Sequence, residues 1–220
     1  EYDDQNCNHV SLISFDSGAR EVTIRCHGIV DTNDEAGIIG RHSGFMPMWL
    51  FLEQTDLTRT GQRMRGLIGG LQSESNTVTA LHSLSALIRD RVEYATGHTD
   101  SATTAEGVLA AGRGVCQDHA HVFIGAARAL GIPARYVSGY LMMDDRVDQD
   151  AGHAWAEAFV EGLGWVGFDI SNGISPDARY VRVATGRDYR DAAPITGIRY
   201  GSRDESMHVK LAVQQQRVEQ

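Results

Sequence analysis

This sequence has no surplus of basic residues, no long apolar run and very little cysteine, and each shortage closes off a class of function. Lys and Arg number 20 against 29 Asp and Glu, a formal charge of -9. Nucleic-acid binders normally present a basic face to the phosphate backbone, so the balance argues against nucleic acid as a partner. No stretch approaches the ~20 apolar residues that cross a bilayer, and the first residues lack the charged, apolar and small-residue zones of a secretory signal. No membrane partner is expected, and the expected location is cytoplasmic. Cysteine occurs only at Cys7, Cys26 and Cys116, too few for a disulfide framework. Cys7 and Cys26 could face each other on neighbouring strands, but free thiols in a reducing cytoplasm are the simpler reading. Repeats, low-complexity tracts and an initiating methionine are also missing, and an opening on Glu1-Tyr2-Asp3-Asp4 reads as a processed or truncated start.

What is present is a chain of 220 residues, long enough for one domain or a domain with an appendage. Val10 to Phe15 and Glu21 to Gly28 read as short strands split by the turn Asp16-Ser17-Gly18. Asp31 to Phe45 is rich in Gly, Asp and Asn, and Pro47 to Leu52 reads as a connecting arm that packs through Trp49 and Phe51. Asn76 or Thr77 caps a helix with Val78, Leu81, Leu84, Ile88 and Val92 at helical spacing. Ala105 to Leu109 is a short helix. A second long helix starts at Cys116, carries Ala120, Phe123, Ala127 and Leu130 on one face, and stops at Gly131 and Pro133. Arg135 to Leu141 reads as a strand, Asp144 to Asp150 as an acidic loop, and His153 to Val160 with Trp165 to Ile170 as an antiparallel pair. In the tail a short helix or loop is expected at Arg187-Asp188-Tyr189, with strand candidates at Thr196 to Tyr200 and Met207 to Val213. The expected division is 1–72, a β-rich N-terminal region and arm, and 73–220, a core with C-terminal strands.

Three features carry chemistry. A free thiol is mostly protonated at neutral pH, so a working cysteine needs help, and a helix N-terminus supplies it through aligned peptide dipoles and unpaired N–H groups. Cys116 occupies such a position, with Gly112 and Gly114 permitting close backbone approach. His153 would pair with the thiolate, and Asp169 would hold the imidazole by its other nitrogen. The Cys116 N–H is one oxyanion donor and the Tyr94 hydroxyl the candidate second, while Gln117 and Trp155 are placed next to substrate. Each residue alone has a plainer reading: Cys116 as a buried thiol, His153 as a strand histidine, Asp169 as a turn former, Trp155 and Trp165 as packing on the sheet. The flanking glycines and the two strands favour the joint reading. A zinc site from Cys116, His119, His121 and His153 is disfavoured, because His121 is rotated away from the other two on the helix and the spacing fits no common pattern.

Gly114-Val115-Cys116-Gln117-Asp118, Gly131 to Tyr140, His153-Ala154-Trp155 and Gly164-Trp165 to Asp169 together resemble the transglutaminase-like superfamily, and more narrowly its bacterial cysteine peptidases. The likeness reaches back to Asp31-Thr32, Pro47 to Leu50 and Thr55 to Thr58, and on to Ala184 to Asp191 and Pro194 to Gly197. It implies an α+β, papain-like core of helices packed on an antiparallel sheet, with Cys116 as nucleophile, His153 as base, Asp169 as orienter, and no metal or other cofactor. The chain departs from the pattern at His119, where an aromatic residue is common, and at Asp169-Ile170-Ser171, where Asp-Pro-Thr is common. The pattern also includes a longer β-rich N-terminal region, so a separate segment completing it is an expected partner. The resemblance implies acyl transfer on a peptide or glutamine-type amide of a peptide or protein substrate through a Cys116 thioester. Hydrolysis leads, with transglutamination or amide ligation as the alternative and a non-catalytic peptide-binding module as the rival class.

Overall fold

A helix begins where the sequence supplies a cap. In the computed structural model, which describes residues 1–15, 18–143, 145, 147–149, 151–197 and 206–215, Asn76 Oδ1 accepts from the Thr79 amide at 2.9 Å. That bond satisfies one of the orphan donors of the first turn. In chain order, β1 (Tyr2–Asp3) and β2 (His9–Val10) form a small ribbon, and β3 (Ile38–Gly40) precedes a 3-10 turn at Met48–Phe51. Then come α1 (Gln62–Ile68), α2 (Thr77–Arg91), β4 (Glu93–Tyr94), α3 (Ala105–Ala111) and β5 (Arg113–Gly114). The second half runs α4 (Cys116–Ala129), β6 (Ala134–Leu141), β7 (Asp148–Gln149), β8 (His153–Val160) and β9 (Gly164–Phe168). It closes with β10 (Tyr180–Gly186), α5 (Tyr189–Ala192) and β11 (Leu211–Ala212), which pairs with β7.

The main sheet has the order β10-β6-β8-β9-β3, antiparallel throughout. Period-two alternation in β8 divides its residues between two faces. Ala154, Ala156 and Ala158 join the helical core with Leu81, Leu84, Ile88, Val108 and Phe123. Their small side chains let α4 lie close to the strand, and Phe123 stacks on Phe168 at 5.1 Å. On the other face Trp155 packs with Val137, Leu141 and Tyr180, and Glu157 is fully buried between Arg135 at 2.6 Å and Arg182 at 2.8 Å. The fold is thus α+β, helices on an antiparallel sheet. Helix α4 is buried from Asp118 to Arg128, a wider burial than the single stripe of Ala120, Phe123 and Ala127 indicates, because α1, α2 and α3 cover the sides that the sheet leaves open.

Arg128 closes that helix against the rest. Its guanidinium donates to the carbonyls of Phe51, Glu53, Ala134 and Arg187 and to Thr58 Oγ1, at 2.7 to 3.2 Å. At the β10 edge, Asn8 Nδ2 donates to the Thr185 carbonyl and Asn8 Oδ1 accepts from the Thr185 amide, both at 2.8 Å.

The amino-terminal expectations fare differently. No strand forms over the described residues of Val10 to Phe15 beyond Val10, nor over Glu21 to Gly28, and Leu12 and Ile24 are exposed. Alternation there finds no partner strand to pack against. The arm packs through Phe51, which meets Trp165 edge-on at 5.1 Å, whereas Trp49 is 60% exposed. With three residues per 3-10 turn, positions two apart do not share a side. In the tail, α5 forms beside Arg187-Asp188-Tyr189. Of the two strand candidates, 196–197 is irregular, 198–200 lies outside the described residues, and only Leu211–Ala212 of the second pairs. Positions 144, 146 and 150 of the acidic loop also lie outside them.

Candidate active site

Cys116 is the first residue of α4, and the turn that delivers it needs its glycines for different reasons. Gly112 ends α3 in the left-handed region at φ 68°, where a Cβ is disfavoured. Gly114 is needed for space: a Cβ there would stand 2.7 Å from Asp118 Cβ. Asp118 Oδ2 reaches back to the Val115 amide at 2.8 Å and accepts from Thr99 Oγ1 at 2.6 Å, the carboxylate half of a capping box. Burial outweighs these bonds and raises its carboxyl above the ordinary aspartate value. The first intrahelical bond runs from the His119 amide to the Val115 carbonyl, so the amides of the turn before it point toward the thiol's end of the helix.

The register of β8 and β9 decides whether His153 and Asp169 meet. Ala156 pairs with Phe168, so one step further brings Asp169 level with Trp155, on the face that carries His153 two residues away. His153 Nε2 and Asp169 Oδ2 are 2.6 Å apart, and the Cys116 side chain lies near enough to act on the ring's charge. Burial works against a charged ring, but the Asp169 bond and the Asp169 and Cys116 charges prevail and push His153 up to about 10. Asp169 is fully buried. Burial acts to raise its carboxyl, yet donation from His153, Tyr180 and Asn172 holds it below the ordinary value.

The other sequence candidates surround this cluster unequally. Tyr94 is half exposed and pinned beside the cysteine turn, because β4 pairs parallel with β5 and the Ala95 amide donates to the Gly114 carbonyl at 2.8 Å. Burial, then the Cys116 and Asp169 charges, raise its hydroxyl, so it remains a donor. Gln117 is partly buried and makes no side-chain hydrogen bond among the described residues. Trp155 is 2% exposed, stacked on His153 at 6.2 Å with Tyr180 edge-on at 5.4 Å; this is the packing role, beneath the histidine. His119 and His121 are both buried, and no group of three or more possible metal ligands occurs among the described residues.

Two partners of Asp169 escaped the sequence reading. Tyr180 Oη and Asn172 Nδ2 each donate to Oδ2 at 2.7 Å, and the Asn172 amide donates to Oδ1 at 3.1 Å. The turn signal Asp169-Ile170-Ser171-Asn172-Gly173 could have revealed Asn172. Tyr180 comes from β10, two strands away from β8, and has no local signal.

Two surface recesses lie elsewhere, one lined by Leu71, Thr77, Ala129 and Ile132, the other by Gln54, Asp56, Arg187 and Arg190. Among the described residues no helix is long and apolar enough to cross a membrane.

Comparison with known proteins adds a likeness of sequence and fold. Residues 64–170 match the family described as the transglutaminase-like superfamily. An uncharacterized protein of Mycobacterium tuberculosis is 39% identical over 140 residues, covering 59% of this chain and 45% of its own length. One of Mycobacterium leprae is 37% identical over 118 residues, covering 51% and 42%. The matched region is under half of each of these relatives. A crystal structure from Cytophaga hutchinsonii, named there as a candidate cysteine protease, superposes with a TM-score of 0.63 at 28% identity, covering 78% of this chain and 57% of that one. Residues 64–170, which carry Cys116, His153 and Asp169, therefore resemble the transglutaminase-like superfamily, and the likeness supports a cysteine-dependent enzyme family.

Proposed function

We propose that the chain catalyses acyl transfer from a peptide or glutamine-type amide, with water as the acceptor. The reading is supported by the His153–Asp169 bond and by the place of Cys116 at the start of α4, the Asp169 and Cys116 charges both favouring a charged imidazole. A charged imidazole beside the thiol favours the thiolate. The thiolate attacks the amide carbonyl, and the developing oxyanion is met by the Cys116 amide and the Tyr94 hydroxyl. His153 gives its proton to the leaving amine, and a thioester remains. Water, deprotonated by His153, then releases the acid and restores the thiol. The half-exposed Tyr94 beside the cysteine turn leaves the site reachable from outside, and a peptide or protein is the proposed partner.

The test compares the wild-type chain with Cys116→Ala on a glutamine-containing peptide library, with iodoacetamide labelling at pH 6 alongside. Cleavage or ammonia release that disappears with Cys116, together with selective labelling of that thiol, is the expected result. Unchanged cleavage and labelling in the variant would end the proposal. Incorporation of a labelled primary amine would replace hydrolysis by amine transfer.

A further inference from the structure

Buried beside the site is an imidazole that the chemistry above does not use. His119 lies one turn into α4 and is 2% exposed. Its Nε2 is 3.1 Å from the Val92 carbonyl and its Nδ1 is 2.8 Å from Ser171 Oγ. A carbonyl only accepts, so Nε2 carries the proton; Nδ1 is then the lone pair, and Ser171 donates to it. The ring also meets Tyr94 edge-on at 6.1 Å. One side chain on the cysteine's helix therefore holds the residue that enters β4, touches the candidate oxyanion donor, and bonds the loop that follows Asp169.

We propose that His119 is a positioning residue, a neutral imidazole that ties the Asp169 loop, through Ser171, and the Val92–Tyr94 segment to the first turns of α4. The proposal rests on the reading of Cys116 given above. Without the tie, the loop from Asp169 to Gly173 keeps its own turn, the His153 and Tyr180 bonds to Asp169 and the packing of Ile170, but loses its hydrogen bond to α4. Asp169 would then spend less time where it stabilises the imidazolium, and the thiolate would lose its counter-ion. Charges act on His119 from three elements: Asp118 on its own helix and Asp169 on the loop favour protonation, while Arg89 of α2 opposes it. Burial is the largest influence and lowers the ring's proton affinity, so the neutral form is the one the site is built around. His119 acts through Asp169 and His153 and does not touch the reacting atoms.

The experiment uses the whole chain with Ser171→Ala, Ser171→Thr, His119→Phe and the His119→Phe/Ser171→Ala pair. The readouts are imidazole nitrogen NMR, the rate of Cys116 alkylation by iodoacetamide at pH 6, and thermal melting. The expected results are a neutral His119 protonated at Nε2, and about a tenfold slower alkylation in Ser171→Ala. Ser171→Thr, which keeps the hydroxyl, should restore the rate, and the double variant should be no slower than His119→Phe, as for two residues in one network. Melting of Ser171→Ala should stay within a few degrees of wild type. A wild-type alkylation rate in Ser171→Ala, an Nδ1-protonated ring, or a rate loss that Ser171→Thr does not recover overturns the tie while leaving a reactive Cys116 intact. An unreactive wild-type Cys116 overturns both this proposal and the function it rests on.

Discussion

Replacing Asp169 by asparagine keeps the side chain's shape and removes its charge, which makes it the cleanest perturbation of the His153 environment. In the wild type the ring sits at about 10 against an ordinary value near 6.5, a preference for the charged form of about 5 kcal/mol. Cys116 contributes to that preference as well as Asp169, so the variant should lose only part of it. A fall of about 1–3 units in the midpoint is expected for loss of one close opposite charge. The assay is a histidine Cε1 NMR titration, with His153 assigned by its disappearance in His153→Gln. It requires no substrate. The sign carries over to stability: a folded-state value above the unfolded one gives a contribution complete below about pH 6.5 and lost as the pH rises through about 10. Wild type should therefore weaken over that window more than Asp169→Asn. A wild-type midpoint near 6.5, or one that the substitution leaves in place, would refute the reasoning.

Three further outcomes follow from packing and burial. Gly114→Ala forces a Cβ against Asp118 and should cost about 1–3 kcal/mol while slowing Cys116 alkylation, read by denaturant titration and labelling; unchanged values of both would contradict the steric argument. Arg128→Met removes five partners' donors at once and should destabilise by about 3–5 kcal/mol, with a loss below 1 kcal/mol counting against the clamp. His121 is fully buried, accepts from the Tyr189 amide at 3.2 Å and is pushed down to about 4 by burial. The unfolded chain takes up that proton first, so roughly 3 kcal/mol should be lost as the pH falls from about 6.5 to 4. His121→Gln should narrow the gap between unfolding curves at pH 7 and pH 4.5, and an unaltered gap would remove His121 as its source.

Legibility from sequence followed the range of the interaction involved. The α2 cap at Asn76 and the alternation of β8 are local signals, and both elements form where those signals stand. Cys116, His153 and Asp169 were legible as residue types on elements, but their meeting depended on a strand register that alternation alone leaves open. The strands expected over Val10 to Phe15 and Glu21 to Gly28 misled because alternation records an apolar face without recording what covers it. Tyr180 was out of reach for the opposite reason. Its partner lies on another strand, and nothing beside it in sequence marks the contact.

The asparagine at the sheet's border has a consequence of its own. An outermost strand leaves a peptide group free to recruit a neighbouring chain, and Thr185 would be such a group on β10. Asn8 answers it with one N–H and the carbonyl of its side-chain amide, as the peptide of an incoming strand would, and its second N–H is taken by Asp4 Oδ2 at 2.8 Å. A side chain cannot continue as a strand does. The ladder is terminated at this position by a residue that imitates its next rung and offers nothing for another to bind.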